Sequence, residues 1–292
     1  MRKIYSSIIN IVKKAEKTNG KLYLGKSENT SNRIQSVGES LEQFFKLSFF
    51  NFDKDKFKEE KNNIFSYIGN KNNPPDLMIK GGEAIEIKKI SSPLSDLALN
   101  SSYPKAKLFN TDPMITKECK NAESWQEKNF IYTIGYVKEE KIKNKKKQYL
   151  SYIFLIDGPC YCAKNNLYEN IKQRLKNGIN NIPYLDFEET NELGKIKRVD
   201  PLGITTLRIR GMWHIENPLK FFTKSEYEIE EIKKIDIKNN SFNLFYITIH
   251  DLDKSEKNEL ENANINYKQI KIPNPNNPTD DLNAYLITYF KG

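Results

Sequence analysis

Two carboxylates and a lysine lie close together between Pro75 and Lys88, on both sides of a Gly-Gly pair. A glycine pair between two short apolar runs is a strong signal for a β-hairpin. On such a hairpin Asp76 and Glu86 supply the hard oxygen ligands that Mg²⁺ prefers, and Lys88 supplies a cation next to them. A metal-dependent nuclease needs this set, because the metal ion polarises the scissile phosphate and the lysine orients the attacking water.

The register of the hairpin decides whether the three side chains share one face of the sheet. A two-residue turn pairs Leu77 with Glu86 and mixes apolar and charged residues on both faces. A three-residue loop over residues 81–83 instead makes one face wholly aliphatic and places Asp76 opposite Lys88, with Glu86 on the same face. We therefore predict the three-residue register, with a glycine in the left-handed conformation in its loop.

The predicted metal ligands are Asp76, Glu86 and the backbone carbonyl of Ile87. Magnesium typically takes only one or two protein carboxylates and keeps several waters, so this set suffices. The predicted cofactor is Mg²⁺, with Ca²⁺ or Mn²⁺ as substitutes in a crystal. The hairpin pattern alone is short, and an ordinary hairpin with a solvated outer face is its simplest alternative.

Two amphipathic helices are predicted before the hairpin, over residues 3–16 and 37–50. In the second helix Leu41 belongs to a buried stripe together with Val37, Phe44, Phe45 and Ser48. Glu42 lies about 100 degrees round the helix from Leu41 and so at the edge of that stripe. A solvated helix charge is the alternative interpretation of Glu42.

Two segments after the hairpin carry groups that suit contacts to DNA. Residues 91–107 contain amide, hydroxyl and ammonium groups, and the predicted contacts are Asn100, Ser101, Ser102, Tyr103 and Lys105. A capped turn would use the same residue types. Residues 204–209 predict a strand that places Arg208 and Arg210 on one face, where arginine forks could read guanine. Phosphate clamps and buried ion pairs are the alternatives for the two arginines, and a core aromatic is the alternative to a DNA contact for Trp213.

The remaining patterns predict further elements of one sheet. Residues 130–137 and 149–157 are predicted to be adjacent strands, joined by a mobile basic tip at Lys145–Lys147. A helix is predicted over 167–178, ending at an Asn-Gly C-cap. Strands are predicted over 242–249 and 266–272, and residues 281–290 are predicted to form a helix or an edge strand.

The composition favours a polyanionic partner, but it only supports what the motifs indicate. The formal net charge of the 292 residues is +9, although the richness in Lys, Asn and Ile also fits AT-rich coding DNA. Cys119, Cys160 and Cys162 lack the spacing of a zinc site and are expected to be thiols in a reducing cytoplasm. No apolar run approaches the length of about 20 residues needed to cross a bilayer, so a cytoplasmic protein without membrane contact is expected.

At Asp76, Glu86 and Lys88 the chain resembles the PD-(D/E)xK nuclease superfamily. Longer blocks are similar to the NgoPII family of type II restriction endonucleases, and they lie between about residue 36 and residue 220. The blocks are Gly69-Asn70, Asn72-Asn73-Pro74-Pro75-Asp76-Leu77-Met78, Ala98-Leu99-Asn100-Ser101-Ser102-Tyr103-Pro104-Lys105-Ala106-Lys107-Leu108, Val199-Asp200-Pro201-Leu202-Gly203-Ile204-Thr205, Leu207-Arg208-Ile209-Arg210-Gly211-Met212-Trp213 and Glu216-Asn217-Pro218.

The resemblance implies an α/β fold with a PD-(D/E)xK core, in which helices flank a central mixed β-sheet and further elements are added at the C-terminus. It implies one domain over residues 1–292, with a catalytic core at about 36–160 and a DNA-recognition and C-terminal subdomain at about 161–292. It also implies a catalytic role for Glu42, because nucleases of this superfamily often place a glutamate from the preceding helix near the metal.

The implied function is Mg²⁺-dependent cleavage of double-stranded DNA at GGCC, leaving blunt ends, with a cognate DNA methyltransferase acting on the same site. A palindrome calls for two active sites and hence a homodimer of two-fold symmetry, although a monomer that cuts the strands in turn is an alternative. The alternative functions are a non-catalytic DNA-binding protein and a different PD-(D/E)xK nuclease that acts on DNA ends, junctions or RNA.

Overall fold

The computed structural model describes residues 2–25, 33–69, 73–99, 101–143, 145–238 and 241–291, and of residues 33–39 it describes the backbone alone. The helices are α1 (Lys3–Lys17), α2 (Arg33–Ser48), α3 (Lys54–Ile64), α4 (Lys117–Lys120), α5 (Asn165–Asn180), α6 (Pro218–Phe221), α7 (Glu230–Lys233) and α8 (Lys254–Asn262), with a 3₁₀ turn at Gly158–Cys160. The strands are β1 (Leu22–Tyr23), β2 (Phe65–Ile68), β3 (Leu77–Ile79), β4 (Ala84–Ile90), β5 (Leu97–Ala98), β6 (Lys107–Phe109), β7 (Glu127–Ile142), β8 (Lys145–Asp157), β9 (Asp186–Glu189), β10 (Gly194–Lys197), β11 (Leu207–Ile209), β12 (His214–Ile215), β13 (Asn243–Thr248), β14 (Asn266–Asn274) and β15 (Asn277–Phe290).

Ten of the strands form one mixed sheet in the order β14-β15-β13-β8-β7-β4-β3-β2, with β1 beside β8 and β6 beside β7. The β4–β7 and β8–β13 pairs are parallel, and the other pairs are antiparallel. This arrangement confirms the predicted α/β class with a central mixed sheet and helices. The C-terminal strands β13, β14 and β15 belong to the same sheet as the hairpin strands β3 and β4.

Apolar residues fill both faces of the sheet. One cluster joins α1 and α2 to the sheet through Ile8, Phe45 and Leu77, among others. The other cluster lies on the opposite face and includes Met78 and Tyr132. Because strand side chains alternate, neighbouring residues of β3 belong to different clusters, and β3 is covered on both faces.

The predicted N-terminal helices are confirmed as α1 and α2. The apolar stripe of α1 is buried, since Ile4, Ile8 and Ile11 have no exposed surface. In α2 the predicted stripe residues Leu41, Phe44, Phe45 and Ser48 are buried, while the side chain of Val37 lies outside the described residues.

Three local predictions need correction. Lys145–Lys147 is the start of β8, paired with the end of β7, and not a mobile tip. Helix α5 continues past Gly178 to Asn180, so the Asn-Gly pair does not end it. The segment 281–290 belongs to β15, which lies between β13 and β14 and is therefore neither a helix nor an edge strand.

Two small sheets lie beside the main one. Strands β9, β10 and β11 form an antiparallel sheet in the order β11-β10-β9, and β5 pairs with β12. The β5–β12 pair aligns Leu97 with Ile215 and Ala98 with His214, so it brings the segment after β5 next to the segment before β12. Among the described helices, none has the length and apolar character to cross a membrane.

Candidate active site

The β3–β4 hairpin brings Asp76 and Glu86 to the same sheet face. Leu77 pairs with Ile85, and extending this register by one residue sets Asp76 across from Glu86. The predicted register, with Asp76 opposite Lys88, is therefore wrong by two residues. Strand faces alternate with a period of two, so this shift leaves all three charged side chains on the predicted face.

The loop of the hairpin has the predicted length but not the predicted position. It consists of Lys80–Gly82 and is closed by the Ile79 amide, which donates to the carbonyl of Glu83 at 2.9 Å. Gly81 has a φ of +67°, which confirms the expected left-handed glycine. Both registers keep an aliphatic face, so the apolar pattern alone could not distinguish them.

Asp76, Glu86 and Lys88 line one cavity of about 410 Å³. The Lys88 ammonium lies 2.7 Å from Glu86 Oε1, and the Ile87 amide donates to Asp76 Oδ2 at 2.5 Å. The cavity is also lined by residues of four later segments, namely Leu99, Ser101 and Ser102, then Met114, then Glu192, and then Arg210, Gly211 and Met212. The hairpin carboxylates therefore face the segments that were predicted to contact DNA.

The charges of Asp76, Glu86 and Lys88 act on one another. Burial raises the pKa of Asp76 well above its usual value, and the neighbouring Glu86 carboxylate raises it further. Burial acts to lower the pKa of Lys88, but Glu86 and Asp76 outweigh that effect, so the pKa of Lys88 is raised. Lys88 is consequently a fixed positive charge, and the raised pKa of Asp76 shows that this one charge does not fully offset burial and the neighbouring Glu86 carboxylate.

The chemistry of this pair fits a divalent cation. Glu86 Oε2 is buried and accepts no hydrogen bond from the described residues. A buried carboxylate oxygen without a donor is costly unless a cation satisfies it. No group of three His, Cys, Asp or Glu side chains with metal-site geometry occurs within the described residues, but Mg²⁺ needs only one or two carboxylates with waters.

Glu42 lies on α2, close enough for its carboxylate to contribute to the raised pKa of Asp76. In the structure it forms an ion pair with Lys46, one helical turn further on. It does not line the cavity that holds Asp76. A catalytic role for Glu42 stays a prediction that would require the Lys46 pair to open.

The residues between Asn100 and Lys105 that were predicted to contact DNA do not all line the cavity. Ser101 and Ser102 line the cavity, whereas Asn100 lies outside the described residues. Tyr103 is buried and donates from its hydroxyl to Glu169 at 2.6 Å. Lys105 is 1% exposed and ion-paired with the equally buried Asp112, so this arrangement does not support a DNA contact from its ammonium.

The arginine pair has the predicted common face and an unexpected partner. The Arg208 Nη2 and the Arg210 Nε lie 3.0 Å and 3.1 Å from the same Glu192 oxygen. Ser101 Oγ donates to the other Glu192 oxygen at 2.9 Å. Only residues 207–209 of the predicted strand are in β11, and Arg210 follows directly after it.

Glu192 is the residue of this site that the sequence patterns missed. It lies in the β9–β10 loop, shortly after Glu188 and Glu189, and no local sequence pattern distinguishes it from them. Only the pairing of β10 with β11 brings it to the arginines. Trp213 packs edge-on against Tyr103 and Tyr168, with ring centroids 6.4 Å and 5.7 Å away, which favours the core-aromatic interpretation.

A carboxylate pair with a lysine, on a hairpin of a mixed sheet and beside exposed arginines, has the residue set of a metal-dependent nuclease. The model of the NgoPII restriction endonuclease family matches residues 2–273 of the chain. Type II restriction enzyme NgoPII from Neisseria gonorrhoeae is 42% identical over 268 residues, which cover 89% of this chain and 91% of that protein. The chain therefore belongs to the NgoPII restriction endonuclease family. No solved structure matches it.

The family match confirms the resemblance seen in the sequence blocks and extends it. The blocks end near residue 220, whereas the match continues to residue 273 and includes β13 and most of β14. The segment between β7 and β8 also falls inside the match.

Proposed function

We propose that the chain hydrolyses phosphodiester bonds of double-stranded DNA at GGCC by Mg²⁺-dependent attack of water, leaving blunt ends. The observation that carries this proposal is the convergence of Asp76, Glu86 and Lys88 on one cavity. Membership of a restriction endonuclease family supports the reaction class, and the similarity of the sequence blocks supports the site.

Asp76 and Glu86 would hold the metal ion, together with the Ile87 carbonyl. Bound Mg²⁺ supplies Lewis-acid polarisation of the scissile phosphate and a lowered pKa for water. Lys88 remains protonated beside Glu86, so its ammonium can orient the water and offset the negative charge that grows on the phosphate oxygens. The Ile87 amide fixes Asp76 Oδ2, which leaves the other Asp76 oxygen as the ligand.

DNA recognition is assigned to Ser101, Ser102 and Arg210, which line the cavity, and to Arg208, which shares the Glu192 carboxylate with Arg210. Arg208 and Arg210 would read guanine in the major groove, and Ser101 and Ser102 would lie near the DNA backbone. A homodimer would supply one active site for each strand of the palindrome. We also propose that residues 1–292 work as one domain, because strands from both ends of the chain share the main sheet.

The test uses the purified protein with Mg²⁺ and a plasmid that carries GGCC sites, next to a copy methylated at those sites. Discrete fragments from the first plasmid and none from the second are expected. A smear would indicate a nonspecific nuclease, and retarded but intact DNA would indicate a non-catalytic binding protein. Fragments whose ends do not lie at GGCC would contradict the proposed site while leaving the reaction class intact.

A further inference from the structure

Glu192 is the common partner of the groups proposed to read DNA. Its carboxylate contacts Arg208, Arg210 and the Ser101 hydroxyl, all at 2.9 to 3.1 Å. Its own amide donates to Thr190 Oγ1 at 3.3 Å, within the same β9–β10 loop. Glu192 also lines the cavity that contains Asp76 and Glu86. This carboxylate therefore contacts the arginines and also lines the cavity of the candidate catalytic residues.

The exposure of the cluster is uneven. The Glu192 side chain is 13% exposed, whereas the side chains of Arg208 and Arg210 are each 57% exposed. Each guanidinium has five N–H donors, so one shared carboxylate oxygen cannot satisfy all the donors of both arginines. Each arginine is thus ion-paired with the mostly buried Glu192 carboxylate, while a large part of the arginine side chain is exposed to solvent.

We propose that Glu192 is a positioning residue for sequence recognition, which sets the guanidinium groups of Arg208 and Arg210 before DNA binds. This inference rests on the proposed function, since it assigns the arginines to base reading. It adds a residue that neither the hairpin motif nor the arginine pattern contains.

Two physical effects support this role. A long arginine side chain loses rotamer freedom when its fork is fixed on a base, and contacts made in the free protein remove part of that loss in advance. Arg208 and Arg210 also carry like charges close to each other, and the carboxylate that both contact offsets their repulsion. Without Glu192 the two forks would separate and still attract phosphates, but they would no longer match base edges.

The test variant is Glu192→Gln, which preserves side-chain size and an oxygen for Ser101 but removes the charge. Binding is measured with Ca²⁺ in place of Mg²⁺ on three duplexes: one with GGCC, one with a single substituted base pair in it, and one without the site. The ratio between the first two affinities is expected to fall by roughly 5- to 150-fold, the range of one arginine–guanine contact. Affinity for the third duplex should stay equal or rise, with a steeper salt dependence, because the variant carries one more net positive charge.

The matched control is Glu188→Gln. Glu188 is also a carboxylate of the small β9–β10–β11 sheet that bridges two cations, Lys195 and Lys197. It does not line the cavity, and its substitution should leave the discrimination ratio unchanged. Glu192→Asp keeps the charge on a shorter stem and should recover part of the lost ratio.

Three results would overturn the inference. An unchanged ratio in Glu192→Gln would remove the positioning role while leaving the proposed function intact. Tighter binding to all three duplexes with the ratio preserved would show that Glu192 masks the arginines instead of orienting them. A wild-type protein that shows no preference among the duplexes would contradict the proposed recognition itself, and the inference with it.

Discussion

Lys88 and Asp76 are the residues on which the proposed chemistry depends most directly. Replacing either with alanine removes a charge at the candidate scissile position, and the cleavage rate should fall by at least roughly 10²-fold. DNA binding should persist, because Arg208 and Arg210 pair with Glu192, and both substitutions leave these ion pairs in place. Single-turnover cleavage and gel retardation of the same duplex measure the two effects separately.

The control for Lys88→Ala is Lys89→Ala, which removes the same charge from the next residue of β4. Its side chain points to the other sheet face, so cleavage should stay near the wild-type rate. Full activity of Lys88→Ala, or equal losses in both variants, would contradict the assignment of Lys88.

At the scale of elements, the position of Asp76 depends on a close backbone approach between the end of β2 and the start of β3. The Gly69 amide donates to the Asp76 carbonyl at 2.7 Å, and a Cβ on Gly69 would lie 2.2 Å from the Pro75 carbonyl oxygen. Gly69→Ala must therefore displace the backbone that carries Asp76. Because a displacement of about 1 Å can cost roughly 10²-fold in rate, cleavage should fall far more than melting temperature does.

Gly178→Ala is the control for this substitution. Gly178 lies in α5, and no atom lies within 4 Å of an added Cβ. Alanine there should leave cleavage unchanged and stabilise the helix by about 0.5–1 kcal/mol. A Gly69→Ala protein with normal cleavage would show that the site tolerates this shift.

The contact between the ends of β8 and β13 predicts a pH dependence of stability. Burial raises the pKa of Asp157 to about 6, although Thr248, Tyr246 and the Ile249 amide donate hydrogen bonds that act against burial. The folded state then binds this proton more tightly than the unfolded chain does, whose Asp pKa is about 3.9. The stabilising contribution of Asp157 is therefore full below about pH 4 and is lost as the pH rises through about 6.

Asp157→Asn removes this titration. The unfolding free energy of the wild type relative to the variant should decrease by up to about 3 kcal/mol between pH 4 and pH 7. Urea unfolding of both proteins at each pH measures the difference and cancels the other carboxyl groups. A difference that does not change with pH would contradict the assigned protonation of Asp157.

At the scale of the whole molecule, the palindromic site that we propose predicts that two copies cut together. A mixture of wild type with excess Lys88→Ala protein should form hybrid dimers that cut one strand, because only one of the two sites is active. Nicked circular plasmid should therefore accumulate, whereas wild type alone should give linear DNA directly. A monomer that cuts the strands in turn would lose rate in proportion to dilution without any increase in the nicked fraction.

The sequence by itself determined the local elements and the chemistry of the hairpin. The spacing of apolar residues predicted α1 and α2, and runs of β-favouring apolar residues predicted β7, β8 and β13. The alternation of side chains along a strand placed Asp76, Glu86 and Lys88 on one face, and an error of two residues in register left that result intact. These features depend on neighbours in the chain, so periodicity and turn residues suffice to predict them.

The tertiary structure decided what depends on partners distant in the chain. The hairpin register, the interior place of β15 and the burial of Lys105 against Asp112 all follow from long-range pairing and packing. Glu192 belongs to the arginine cluster only because β10 pairs with β11. Apolar patterns are unchanged by a shift of two residues, and a lone glutamate has no periodicity, so the sequence alone could not specify either one.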